Sequence, residues 1–282
     1  MRPGRRTAVM FYLGCHQPAW LGEMDVPLFI SHRRLAHRRS LPRARGPWCL
    51  DSGAFSEIQQ YGRWTITAEQ YAAAVRRYTQ EIGGLQWAAQ MDWMCEPVVI
   101  SGGRAGRSRF AGTGLSVEAH QRLTVDNYLR LRYIASDLPI VPVIQGWRRD
   151  DYLRCVDMFA RSGVDLEREP VVGLGSVCRR QGTTEIGTIV EAVAALRIPL
   201  HGFGVKTAGL AIYGRHLSSA DSLAWSYQGR YRPGCRTGHR TEANCARWAA
   251  EWRQKVIRAG GPGLSRGLSG RRRRRCESGR ER

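Results

Sequence analysis

The chain has 282 residues, 43% of them hydrophobic, and its 44 Lys and Arg outweigh 24 Asp and Glu to give a formal net charge of +20. Such a length holds one large domain or two small ones, and such a charge points to a polyanionic partner, nucleic acid first. No apolar run is long enough to span a bilayer, the apolar stretch after the basic residues 1–7 is too short for a signal peptide, and eight scattered Cys form no disulfide framework, so the expected setting is a reducing cytoplasm.

In chain order, residues 8–13 read as a buried strand ending at Gly14-Cys15-His16, and residues 26–30 as a short second strand. Residues 33–45 carry the pairs Arg33-Arg34 and Arg38-Arg39 ahead of Pro42 and read as an exposed, phosphate-facing connection. Residues 48–51 form a third strand that ends in Asp51 at a Ser52-Gly53 turn. Tyr71, Val75, Tyr78 and Ile82 recur at helical spacing, which predicts a helix over 67–82 capped by Thr67 and ended by Gly83-Gly84. A fourth strand over 86–92 ends in Asp92. Residues 101–114, rich in Gly, Ser and Arg, read as a mobile loop. Helices over 116–135 (capped by Ser116), 150–162 and 183–196 then alternate with strands over 138–144, 171–176, 200–205 and 218–222. A last helix over 242–258 carries Trp248 and Trp252 four residues apart.

Strands alternating with helices imply a parallel sheet with right-handed crossovers, and eight strands in roughly 220 residues fit a (β/α)8 TIM barrel. A doubly wound open sheet is the alternative, although no G-x-G-x-x-G links a strand to a helix. The expected organisation is a catalytic barrel over 1–229, a Cys/His loop and helix over 230–259, and a disordered Arg-rich tail over 260–282.

In a barrel, the C-terminal ends of the strands form the active face. Those ends carry Asp51, Asp92, Gln145, residues 173–176, residues 201–204 and Asp221. Two carboxylates on opposite sides of a sugar can displace a base, one attacking C1′ and the other moving a proton. An acid and an amide, Asp92 and Gln145, suit the edge of a purine. Taken singly, Asp51 and Asp221 would be strand-end or turn acids, and His16 and His201 structural.

The ordered set resembles the tRNA-guanine transglycosylase superfamily. Asp51-Ser52-Gly53-Ala54-Phe55 is similar to its Asp-Ser-Gly-Gly-Phe segment, Met91-Asp92 with Glu96-Pro97 to its Asp-x-x-x-Pro strand though one residue longer in spacing, and Ile144-Gln145-Gly146 to its Val-Gln-Gly. Gly173-Leu174-Gly175-Ser176 resembles its Gly-Gly-Leu-Ala turn, His201 to Gly204 the approach to its seventh strand, and Asp221 stands where its nucleophile is expected. The chain lacks the Cys-x-Cys-x-x-Cys cluster of the tRNA enzymes and has Ala54 for their second Gly. The form of residues 221–225 is closer to the DpdA branch, which inserts 7-deazaguanines into DNA. The resemblance implies that Asp221 attacks C1′ and forms a covalent intermediate, that Asp51 is the general acid/base, and that Asp92, Gln145 and Gly173 hold the base. Ser52, Gly53, Gly146, Leu174, Gly175, His201 and Gly204 would line the same substrate site. The implied partners are DNA, with tRNA as the alternative, a 7-deazapurine such as preQ0, and helper proteins of a DNA-modification system; no redox cofactor is needed. The rival readings are a queuine- or preQ1-type tRNA enzyme, a nucleic-acid N-glycosidase, and a catalytically silent basic binding protein.

Cys235-x3-His239-x5-Cys245 offers three ligands for a structural zinc. The spacing does not identify a fourth; His216 and Cys276 are remote candidates. Cys15, Cys49, Cys95, Cys155 and Cys178 read as small buried hydrophobes.

Overall fold

Among the described residues, nine short parallel strands make the wall of the barrel: β1 (Val9–Cys15), β2 (Leu28–Ser31), β3 (Trp48–Asp51), β4 (Leu85–Ala89), β5 (Ile140–Val141), β6 (Val143–Ile144), β7 (Val172–Leu174), β8 (Leu200–Gly202) and β9 (Ser219–Ser222). The computed structural model describes residues 9–177, 180, 183–205, 207–235, 238–259 and 264–265. The strand order is β5-β4-β3-β2-β1-β9-β8-β7-β6. β5 and β6 are consecutive pieces of one stave, so the sheet closes on itself as an α/β TIM-like barrel. Pro142 divides that stave because proline has no N–H for the ladder. Its carbonyl still accepts from the Gly173 N–H at 2.9 Å, which ties the divided stave to β7.

The two faces of each strand go to different places, since successive side chains alternate. Tyr12, Phe29, Cys49, Trp87, Ala89, Val141, Val143 and Val171 fill the barrel lumen, with Met10 and Phe203 against them. Phe11, Leu13, Ile30, Leu50, Ala88 and Ile144 face outward into the larger core under the helices. This two-sided burial explains why the strands read as continuous apolar runs.

Helix Ala68–Glu81 starts with a capping box: the Gln70 N–H donates to Thr67 Oγ1 at 3.2 Å and the Thr67 N–H to Gln70 Oε1 at 2.9 Å. Helices Val117–Ile134 and Thr184–Ala194 are capped by Ser116 and Thr183. Helix Arg149–Arg161 is held at its start by Asp151, which accepts from the Trp147 and Arg148 N–H groups.

Four local readings are corrected by the structure. Residues 101–114 are not a free loop. Helix Pro97–Ser101 leads into a hairpin of Gly103–Ala105 and Ser108–Phe110, anchored by the buried Phe110. One apolar residue suffices to seat it, which is too little to register as periodicity. A short helix, Ala54–Tyr61, follows Asp51 at once, where no helix was expected. The fourth strand stops at Ala89, so Asp92 sits on the connection beyond it. The last helix runs Ala246–Ala259, preceded by a single 3-10 turn at Glu242–Asn244.

The 230–259 segment lies on the barrel wall. Trp248 Nε1 donates to the Trp225 carbonyl at 2.9 Å, and the buried Arg253 donates twice to the Phe11 carbonyl, at 3.1 and 2.8 Å. Leu264–Ser265 pairs in parallel with Val9 and Met10. The remainder of the Arg-rich 260–282 tail lies outside the described residues, as do Cys178 and Cys276. Among the described residues no helix is long and apolar enough to cross a membrane.

Candidate active site

Lumen residues on β3 and β9 set where the acids emerge. Cys49 and Ser219 point inward, so two residues on, at the strand ends, Asp51 and Asp221 point inward as well. Both line a cavity of about 250 Å3 at the C-terminal mouth of the barrel, together with Asp92, Gln145, Gly175 and Gly204. Its apolar walls include Phe29, Phe55, Phe203 and Leu223. A small apolar slot with a few convergent polar groups is what a flat heterocycle requires.

Asp221 is fixed from below. Its Oδ1 accepts from the Gly204 N–H at 2.8 Å and lies 3.3 Å from His201 Nε2. His201 is fully buried, its Nδ1 lies 2.8 Å from Ser219 Oγ, and the rings of Trp87 and Phe203 pack edge-on to it at 4.7 and 4.9 Å. His201 therefore lies under Asp221, outside the cavity lining, and orients it.

Asp51 has a raised pKa, chiefly through burial; the Gly53 N–H and the Ser31 hydroxyl pull it down, and the charge of Asp221 pushes it up. Gly53 makes the turn beyond it with φ of +81°, and a Cβ there would sit 2.9 Å from Arg33 Cγ, so the sharp turn requires glycine.

Asp92 is 7% exposed and is pushed up to about 7, first by burial and then by the charge of Asp51. Its oxygens accept from Ser52 Oγ at 3.3 Å and from Gln145 Nε2. Gln145 is oriented in turn: its Oε1 accepts from Ser176 Oγ at 2.7 Å, and Ser176 Oγ accepts from the Cys95 N–H at 2.8 Å. That chain fixes which way the Gln145 amide faces. Gly175 allows it, because a Cβ there would lie 2.1 Å from Gln145 Nε2.

Of the expected site residues, Asp51, Asp92, Gln145, Gly175, Gly204 and Asp221 come together around the cavity. Ser52 acts on Asp92, Gly173 packs under the Phe203 ring, and Gly146 abuts Tyr152. Leu174 faces the outer core. Phe29 and Leu223 were not expected at the site, and Ser176 and Phe203 were expected only as parts of the 173–176 and 201–204 turns. The two Phe share the strand period of the acids, a signal that could have found Phe29; Ser176 follows the strand in a left-handed turn with φ of +56°.

A second cluster lies beyond β9. The ligand atoms of Cys235, His239, Glu242 and Cys245 are all within 4.8 Å of one another. The two sulfurs are 3.8 Å apart and His239 Nε2 is 3.2 Å from Cys235 Sγ. A tetrahedral zinc about 2.3 Å from each sulfur sets an S···S edge near that length, so the donors fit. Glu242, three residues from His239, offers a fourth donor atom within the same distance. His216 is instead 3.4 Å from Glu191 and stands apart.

A family model described as DpdA: DeoxyPurine in DNA protein A matches residues 8–265. No curated protein sequence matches the chain. Among solved structures, a chain from Coccidioides immitis assigned as a fructose-1,6-biphosphate aldolase aligns with 10% identity over 91% of each chain and a TM-score of 0.47. A chain from Sinorhizobium meliloti assigned as an isomerase aligns with 12% identity over 77% of this chain and 51% of its own, at a TM-score of 0.38.

Proposed function

The chain belongs to the DpdA family, and on that premise we propose that it exchanges guanine in DNA for a 7-deazapurine such as preQ0. The observation that carries this is the pair of acids, Asp51 and Asp221, facing one cavity beside the oriented Asp92–Gln145 edge. In this scheme Asp221 Oδ attacks C1′ of a guanine nucleotide lifted from the stack. The C1′–N9 bond breaks, its electron pair leaves with the purine, and Asp51 supplies the proton. The incoming 7-deazapurine then returns a proton to Asp51 and attacks C1′, and the ester bond to Asp221 breaks. Asp92 and Gln145 hold the hydrogen-bonding edge common to both bases. Because one ring nitrogen replaces another at C1′, the carbon keeps its oxidation state and the exchange requires no electron transfer.

Nucleoside mass spectrometry of DNA and tRNA from cells with and without the gene tests the assignment. The expected result is a 7-deazaguanosine in DNA that vanishes with the gene. Modified nucleoside confined to tRNA would assign the tRNA reaction instead, and abasic DNA without any modified base would assign an N-glycosidase.

Cys235, His239, Glu242 and Cys245 would hold a structural zinc that pins the connection between helices Ala224–Gly229 and Ala246–Ala259. Burial pushes the Cys245 thiol up to about 11, and a bound cation would favour its thiolate. Purified protein is expected to carry about one zinc per chain by elemental analysis. A Cys235→Ser/Cys245→Ser variant should lose it and melt at a lower temperature, while equal metal content in the variant would remove the site.

A further inference from the structure

A polar groove of about 640 Å3 lies beside the cavity, lined by Arg33, Ser56, Gln59, Gln60, Arg109 and Ala111. Every lining side chain except Ala111 carries an N–H or O–H donor. Helix Ala54–Tyr61 joins the two spaces: Ala54 and Phe55 line the cavity, and Ser56, Gln59 and Gln60 line the groove. The stem of Arg33 lies over Gly53, directly beyond Asp51. Its guanidinium is held by Glu57 at 3.1 Å and Gln60 at 3.3 Å.

The far wall is the hairpin Gly103–Phe110. Its register sets Arg104 directly opposite Arg109, both exposed on one face, with Arg107 exposed at the tip. Like charges opposed across strands are destabilising, and among the described residues no carboxylate pairs with any of the three. The hairpin is nevertheless held in place. On its other face Phe110 is buried against Ile58 and meets Phe55 edge-on at 6.0 Å, and Gln59 Nε2 donates to the Arg109 carbonyl at 3.1 Å. A fixed frame thus keeps two cations together beside a row of donors, an arrangement that an anion relieves.

We propose that the groove between helix Ala54–Tyr61 and this hairpin binds the phosphodiester backbone flanking the exchanged nucleotide, with Arg104 and Arg109 contacting phosphate and Arg33 guiding the strand to Asp51. This rests on DNA being the substrate. Backbone contacts of this kind set register without reading sequence.

The test is fluorescence anisotropy of the full chain on a labelled DNA duplex across a salt series. Each phosphate contact contributes about 0.9 to the slope of log K against log salt. Arg104→Gln/Arg109→Gln should therefore bind more weakly, with a slope shallower by about 2, and keep its melting temperature or raise it. Arg161→Gln/Arg168→Gln, at the opposite end of the barrel, should leave the slope unchanged. An unchanged slope in the hairpin variant, an equal fall in the distant one, or no binding by the parent protein overturns the proposal. If the slope falls as expected but no base is exchanged by the parent protein, the catalytic reading fails and the phosphate groove stands.

Discussion

Asp221→Asn should lose base exchange by about 10^4-fold or more, the scale at which removal of a nucleophile acts, while keeping its fold and its DNA affinity. The substitution preserves shape, and an amide oxygen can still accept from the Gly204 N–H at the position now 2.8 Å away. What it removes is the lone-pair charge that attacks C1′. Incorporation of labelled base into DNA measures the rate, and denatured protein analysed by mass gives the covalent adduct, expected in the parent and absent in the variant. Asp51→Asn should cost less, about 10^2- to 10^4-fold, because a proton carrier can be replaced in part by water. If Asp221→Asn kept its rate while Asp51→Asn lost both rate and adduct, the two roles would be exchanged. Burial raises the pKa of Asp51, which suits a group that carries a proton.

The barrel was legible because burial on both faces leaves a mark that survives in one dimension: apolar runs, several of them ending in a polar residue beside Gly. Asp51, Gln145 and Asp221 were marked by their position at strand ends together with the ordered set of motifs they belong to. The supporting contacts were not legible. Ser176 reaches Gln145 from 31 residues away, and His201 reaches Asp221 from 20; each pair meets because its two strands lie side by side in parallel. A parallel pair needs a long crossover between its strands, and that length hides the contact in the sequence. Glu242 was missed as a candidate metal ligand for another reason. Cys and His stand out in a sequence, whereas one Glu among many acids gains meaning only when the 3-10 turn at Glu242–Asn244 brings it beside His239. The hairpin was missed because its Gly and Arg content is that of a loop, and its order comes from one Phe and the helix beneath it.

Asp92→Asn should raise KM for the incoming base about 10^2-fold, the cost of leaving a buried donor of the base without its acceptor, and should remove a pH dependence that the parent shows. Asp92 is pushed up to about 7, so its charged form grows as pH rises from 6 to 8. The carboxylate accepts N–H groups from the purine edge, and KM should accordingly fall over that range in the parent and stay flat in the variant. Stability moves in the opposite sense. A carboxyl raised from 3.8 to about 7 holds its proton more tightly in the folded chain than in the unfolded one. The stability this contributes is fully present below pH 4 and is lost as pH rises through 7. Asn cannot ionise, and it keeps its local bonds: its oxygen accepts from Gln145 Nε2, and Ser52 Oγ can turn to accept from its amide. The variant should therefore melt no lower than the parent at pH 6 and higher at pH 8, as differential scanning calorimetry would record. A variant that melts lower at pH 8 would mean that the charge of Asp92 stabilises the fold. In the expected case the chain keeps a buried charge at a cost in stability, and the compensating gain is the grip of that charge on the base.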